Sequence, residues 1–545
     1  MTKIRKYGVL LILCFSVSLL FCMPAWRGEV EKRLADGSTI TVTLTGDRWL
    51  HYYTSADGRC WRETADGILE LIDKPTDTQE EYIRRQKRMP KQAATASARN
   101  IASRGLVILA NFKKTEFKSE HTQALLNDML NGDNYTYNGA TGSARQYFSD
   151  QSMGSYKPQF DVVGPVTLSY EYSHYGEDDT SVGYAGEDLR AVDMIVEACQ
   201  LADKNFGVNF KDYDCDNDGE VDFVFVIYAG YGQSAGADAG TIWPHAFWVS
   251  DFHGDRAGGQ TCIIDGKKIN TYACGPELYG ASGSTLTGVG TFCHEFSHVL
   301  GLPDLYITSG SSKHTTLNTW DILDYGPYLN NGRTPPAYSA YERFFMGWLT
   351  PTVINRNGTY LLKDLKETNS AAMITSSGQS NLIGNDPNPT EFYLLENRQQ
   401  TGWDKYLKGH GLMITRIKYN YQNWYDNEVN NSETNMGVDL IEASQNTTKY
   451  SMPTDLFPAG ATQYTPYNKY PITNIQETDN IITFNLIGGG DSIIVSVDDI
   501  NDNTQETVVA VYTIQGILVR TGITDLPEGV YIIKTDKRTR KIYVK

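Results

Sequence analysis

A chain of 545 residues with 40 % hydrophobic and 21 % charged residues is globular in composition, which excludes a wholly disordered or fibrous protein. Its length fits about two to four domains. The formal net charge of −17 argues against nucleic acid as the main partner, because phosphate binding needs a basic face. In chain order, Lys3, Arg5 and Lys6 precede an apolar run from Val9 to Phe21. A basic stretch before a short apolar one predicts a signal peptide over residues 1–23, cut near Cys22–Ala25. The run is shorter than the roughly 20 residues that span a bilayer, and no later stretch is long and apolar enough to do so. Within residues 24–100, those from about 24 to 83 predict a small β-meander, with alternating Thr, Val, Tyr and Trp and three Asp-Gly turns. A basic, aperiodic linker open to proteolysis follows, "EEYIRRQKRMPKQAATASARNIASRG". A small unit on a cleavable linker reads as a propeptide; a separate accessory domain is the competing reading.

Residues 101–350 alternate strand and helix signals, as an α+β or α/β enzyme domain does. The continuous apolar runs Gly105–Phe112 and Val221–Gly232 predict buried strands. "TGSARQYFSDQSMG" predicts a helix capped by Ser143, and Leu189–Phe206 has helical apolar spacing. A further helix is expected from near Gly288. After Pro351, short Tyr- and Thr-rich strands between Asn- and Gly-rich turns predict a β-rich domain over 351–490. Residues 491–545 predict a small β-sandwich. Export would permit disulfides among the six cysteines from Cys60 to Cys293. Cys262 and Cys274 flank a predicted "DGKK" hairpin turn and suit a bridge; the others cannot be paired from sequence.

The chemistry concentrates in "TFCHEFSHVLGLPDLY", Thr291–Tyr306. On a helix, His294 and His298 lie one turn apart on one face, with Glu295 beside them. That pattern suits zinc held by two imidazoles, with a carboxylate to take a proton from water. A catalytic zinc needs a third protein ligand. Gly301 can end the helix in a left-handed conformation, Pro303 prevents its resumption, and Asp304 is then placed to offer an oxygen. A helix with unliganded histidines is the competing reading.

"DYDCDNDGEVD" spaces Asp214, Asp216, Asp218 and Asp222 as a loop that wraps calcium does, but lacks the closing glutamate of an EF-hand. An acidic turn in water is the alternative. His245 and Glu277 are candidates for the cleft wall, with a buried structural role the commoner one for such a histidine. Cys60 has the chemistry to ligate zinc as a latch, against the blander roles of a disulfide or an inert buried thiol.

"HEFSHVLGLPDLY" resembles the metzincin-like zinc peptidases, and in particular the immune inhibitor A-like family of secreted bacterial metallopeptidases. Further segments resemble the same family in order between about Gly105 and Asn485. They include "GSARQYFSDQSMG", "CDNDGEVDFVFVIYAGYG", "WDILDYG" and "PPAYSAYERFFMGWL". The resemblance implies a twisted sheet plus an active-site helix, zinc on His294, His298 and Asp304, and Glu295 as general base. It implies an endopeptidase acting on extracellular protein or peptide substrates. Leu323 stands where metzincins carry a methionine below the metal, and Arg416 where the family often has a histidine. Tyr325 sits where some metzincins place an oxyanion-stabilising tyrosine, or is a packed core residue. The tail, through "VYTIQGILVRTG", "LPEGVYIIK" and "KIYVK", resembles the sorting domain of type IX secretion. That implies the export machinery as a partner and a secreted or outer-surface location on a Gram-negative bacterium; an adhesion module is the alternative for the tail. For the whole chain, the alternative is a cell-surface binding protein on an inactive peptidase scaffold.

Overall fold

The apolar runs read as buried strands meet in one six-stranded sheet of a computed structural model. The structure describes residues 21–76, 103–181, 183–251, 261–308, 314–444 and 450–495, with short stretches between 508 and 544. β1 is Phe21–Cys22, and a first unit follows with β2 (Glu29–Leu34), β3 (Thr39–Asp47), β4 (Leu50–Ser55), β5 (Cys60–Glu63) and β6 (Ile68–Ile72). The central sheet adds β7 (Arg104–Asn111), β8 (Gln159–Thr167), β9 (Val224–Tyr231) and β10 (His245–Trp248). After the hairpin β11 (Cys262–Ile264) and β12 (Lys267–Ile269) comes β13 (Thr271–Leu278). The sheet order is β1-β10-β13-β9-β7-β8. β8, β7, β9 and β13 run parallel, while β10 and then β1 are antiparallel additions at one edge. Parallel strands covered on both faces need near-continuous apolar sequence, which β7 and β9 have.

The helices form where capping and periodicity predict them. Ala144–Gln151 starts on Ser143, whose hydroxyl accepts from Gln146 N at 3.1 Å. Ala191–Phe206 buries Val192, Ile195, Cys199 and Ala202 against one face of the sheet and ends at a left-handed Gly207. The site helix, Val289–Val299, covers the other face. Its Phe292 and Phe296 pack edge-on to Phe160 at 4.8 and 5.2 Å.

Two expectations change. The N-terminal meander closes into a five-stranded barrel, because β2 pairs in parallel with β6 as well as with β3. Cys262 and Cys274 are free thiols, as are Cys60, Cys199, Cys215 and Cys293. The predicted hairpin forms, but it carries Cys262 in a separate two-stranded sheet. Cys274 sits in β13, with its sulfur 3.5 Å from His245 Nδ1. One apolar cluster spans residue 350: Leu349, Met373, Leu394, Met413 and Trp403 belong to the same cluster as Phe296 and Leu323.

Beyond that line lies a five-stranded sheet from Thr352–Val353, Ala372–Thr375, Glu391–Arg398, Gly411–Lys418 and Val438–Leu440. A four-stranded sheet from Gly358–Leu362, Ile472–Thr478, Ile481–Leu486 and Ser492–Val495 packs with it. The described part of the tail is one antiparallel four-stranded sheet. Among the described residues no helix is long and apolar enough to cross a membrane. Most of the expected signal peptide and the basic linker lie outside the described residues.

Candidate metal centre

The site helix owes its position to small residues at its start. A side chain on Gly288 would meet Gly332 O at 2.1 Å, and one on Gly290 would meet Pro327 O at 2.2 Å. Both glycines therefore let the helix touch the backbone of 327–332 directly. At its other end Gly301 is left-handed (φ +96°), with Gly301 N donating to His298 O at 2.9 Å and Leu302 N to Ser297 O at 3.1 Å. The chain then passes Pro303 and brings Asp304 back under the helix.

His294 Nδ1 donates to the Ile322 carbonyl at 2.7 Å, and His298 Nδ1 donates to the Leu302 carbonyl at 2.8 Å. A carbonyl only accepts, so both Nδ1 atoms carry a proton, and both Nε2 atoms turn to the space they share with Asp304. Those Nε2 atoms lie 3.1 Å apart. Asp304 Oδ1 lies 3.4 Å from His294 Nε2 and 3.3 Å from His298 Nε2. All four groups are sealed from solvent: His294, Glu295 and Asp304 are 0 % exposed and His298 3 %.

Asp304 is held by a residue 123 positions away. Asn427 Oδ1 accepts from Asp304 N, and Asn427 Nδ2 donates to Asp304 Oδ2, each at 2.7 Å. This amide uses one carboxylate oxygen and leaves Oδ1 facing the imidazoles. Asn430 Nδ2 donates to the Leu305 carbonyl at 2.8 Å, so the same loop grips the next turn of chain. Sequence reasoning missed Asn427. Its one local signal is an Asn-rich stretch, and Asn427 does adopt a left-handed φ of 55°.

The donor set fits a divalent metal. Asp304 Oδ1 and both Glu295 oxygens are buried without a hydrogen-bond partner, and ligand atoms of His294, Glu295 and His298 lie within 4.8 Å of one another. Two imidazoles and a carboxylate suit zinc with a position left open. The electrostatics agree. Burial pulls both imidazoles down, but the Asp304 contact raises His294 to about 8, while His298 stays below its usual range. Asp304 is held down at about 2 by the two histidines despite its burial. Burial lifts Glu295 to about 8, against the pull of His294. A buried acid lifted so far is poised to exchange a proton near neutral pH.

Below the histidines, Ile322 O orients His294, and Leu323 O accepts from Leu305 N at 2.8 Å. Leu323 is 0 % exposed within the core cluster that also holds Phe296 of the site helix. Leu323→Met conserves volume and is expected to cost under about 1.5 kcal/mol, whereas Leu323→Ala opens a cavity and costs about 2–5 kcal/mol. Thermal unfolding of the two variants reads the difference; equal midpoints would contradict the packing role.

The remaining candidates separate. Tyr325 is half-buried and lies under the Arg27 guanidinium, 3.5 Å from its ring centroid. Asp214, Asp216 and Asp218 gather within 4.8 Å of one another, and Lys267 pairs with Asp214. Asp222 instead accepts from Cys215 N at 3.2 Å. Glu277 takes hydrogen bonds from His121 Nδ1 (2.6 Å) and Lys118 N (2.7 Å), and His245 bonds the Trp243 carbonyl (2.6 Å) and Tyr272 hydroxyl (3.0 Å). Both are buried structural groups. Arg416 pairs with Asp439 at 2.6 Å. Cys60 is buried in the barrel strand β5, paired with Thr54 on β4.

The same stretch of chain matches a known family. Residues 107–349 match the Immune inhibitor A peptidase M6 catalytic domain. This M6 region contains all four site residues and ends before Asn427. Pre-pro-metalloprotease PrtV of Vibrio cholerae serotype O1 is 25 % identical over 261 residues, covering 42 % of this chain and 27 % of that protein. Immune inhibitor A of Bacillus thuringiensis subsp. alesti is 27 % identical over 220 residues, covering 37 % of this chain and 31 % of the relative. The chain thus spans about three-tenths of the length of these relatives. The matched region, residues 107–349, has a mixed α/β fold, and the whole protein's activity is inferred below.

Proposed function

We propose that this chain is a zinc-dependent endopeptidase, made as a latent precursor. The observation that carries the reading is the convergence of two Nε2 atoms and one carboxylate oxygen, each side chain tied back by its other atom, beside the buried Glu295. His294, His298 and Asp304 would hold zinc, which supplies Lewis acidity to water and to a carbonyl. Glu295 takes the proton of the attacking water and returns it to the departing amine nitrogen. The Tyr325 hydroxyl donates to the developing oxyanion once Arg27 has left its ring. Leu323 removes no ligand and keeps the floor apolar, so nothing in the site favours an inactive scaffold.

Latency is supported by what lies over the site. Ala25 is buried, the Arg27 guanidinium lies over the Tyr325 ring, and the barrel docks through Arg48–Glu187 (3.9 Å) and His51–Asp178 (3.6 Å). A centre that buried admits no peptide. Cleavage in the basic linker, residues 80–105, is expected to raise casein hydrolysis by at least tenfold over the intact chain, and a zinc chelator to abolish it. A cut chain that leaves casein whole would sink the proposal. The reading extends to secretion, with the 491–545 unit addressing the type IX machinery, which the termini of the protein found outside the cell would test. It also extends to calcium at Asp214, Asp216 and Asp218, where Lys267 partly fills the same charge role. Calcium analysis of the purified chain tests that part.

A further inference from the structure

Two buried acids outside the metal centre face each other. Asp321 opens the turn 321–326, and Glu342 lies in the first turn of the helix Ala340–Phe345. Both are 0 % exposed. Asp321 Oδ1 accepts from Leu323 N at 2.8 Å, and Glu342 Oε2 accepts from Ser339 N in a capping box. That leaves Asp321 Oδ2 and Glu342 Oε1, each buried without a hydrogen-bond donor. Glu342 stands within hydrogen-bonding reach of Asp321 and exerts the largest charge effect on it. Two carboxylates cannot bond each other, since both only accept; one proton between them satisfies both leftover oxygens.

The neighbouring guanidiniums are committed elsewhere. Arg343 donates to Tyr338 O, Asn369 and Gln151, and Arg398 donates to Glu396 and Asp404. The other charges facing the pair, Asp324 and Glu396, are acids, and Tyr147, Tyr338 and Tyr341 are phenols that burial keeps neutral. Burial and the Glu342 charge push the Asp321 carboxyl well above the usual carboxylate range. The pair sits one step behind the proposed metal ligands. Asp321 O accepts from Gly326 N at 2.9 Å, and a side chain on Gly326 would meet Pro336 Cγ at 2.6 Å. The turn held in this way presents Ile322 O to His294 Nδ1 and Leu323 O to Leu305 N. Tyr338, just before the helix of Glu342, hydrogen-bonds through its hydroxyl to the Ser297 hydroxyl of the site helix at 2.5 Å.

We propose that Asp321 and Glu342 share one proton, and that this bridge is a positioning device that clamps the 321–326 turn to the helix Ala340–Phe345 and keeps the Ile322 carbonyl on His294. Its role at the metal rests on the zinc reading; the shared proton does not. The folded chain keeps a proton that the unfolded chain loses above about pH 4, so the bridge stabilises most in acid and weakens as pH rises. Once the proton leaves, two buried charges repel across the clamp and His294 loses its fixed acceptor.

Two measurements on the full-length protein test it. In infrared difference spectra near neutral pH, wild type minus Asp321→Asn is expected to show the carbonyl band of one neutral carboxylic acid, and wild type minus Glu342→Gln the same band. Either amide can donate to the remaining carboxylate, so each variant keeps the bridge without the proton. The second measurement is zinc affinity by chelator competition at about pH 6 and about pH 9. Asp321→Asn is expected to match wild type within about twofold at the lower pH and to bind at least about tenfold tighter than wild type at the higher, while Asp321→Ala is weaker at both. A pair that merely packs would give the same ratio of variant to wild type at both. A missing band in both difference spectra overturns the shared proton, and a ratio that does not change with pH overturns the positioning role. If the band appears but neither wild type nor variant takes up zinc, the zinc reading fails and the role at the metal with it, while the proton bridge stands.

Discussion

Glu295→Ala is expected to lower kcat on casein by about 10³-fold in the linker-cut chain while zinc stays bound at one ion per chain. The size follows from the role. A positioned base that both takes and returns a proton contributes about 10²–10⁴-fold, and among the described residues the other carboxylate at the histidines is Asp304. Asp304 is tied by Asn427 and held ionised at about 2, so it is a poor proton carrier near neutral pH. The retention of zinc follows from geometry, since Glu295 is neighbour to the donors but is not one of the three that converge. Activity measured with metal analysis separates the outcomes. Unchanged activity would remove Glu295 from the chemistry, and loss of zinc would make it a ligand instead.

Asn427→Ala is expected to weaken zinc binding by about 10–100-fold, the usual cost of removing a group that orients a ligand. Two bonds are lost together: the Asp304 N–H loses its acceptor, and Oδ2 loses its donor. The freed carboxylate can then turn Oδ2 toward the imidazoles or rotate away. Asn427→Asp should be worse, because it places a second buried negative charge against Asp304. Competition with a chromophoric chelator reads the affinity. Normal affinity in Asn427→Ala would reduce this residue to packing. Since Asn427 lies beyond the matched M6 region, the result also decides whether the following β region takes part in the site.

What the sequence revealed and what it hid divide by contact range. The site helix, its cap at Gly288, the left-handed Gly301 and the return to Asp304 span 17 residues and obey local rules of periodicity and termination. They were legible for that reason, as were Ser143 as a cap and the two apolar strands of the parallel sheet. Asn427 was not legible, because an amide 123 residues away carries no periodic or motif signal. The barrel closure was hidden for the same reason: antiparallel neighbours follow from short turns, but the parallel β2–β6 pair depends on long-range geometry. The Cys262–Cys274 expectation was built on the hairpin turn alone. The turn forms, and the strand after it leaves for a different sheet.

The central claim is that zinc sits on His294, His298 and Asp304, and X-ray absorption at the zinc edge of the full-length protein tests it most directly. The predicted spectrum has imidazole nitrogen at about 2.0–2.1 Å, carboxylate oxygen at about 2.0–2.2 Å and no sulfur, and His298→Ala should remove about half of the imidazole scattering. A sulfur shell near about 2.3 Å would put a cysteine on the metal, and a protein purified without zinc that takes none up would leave the account without its centre.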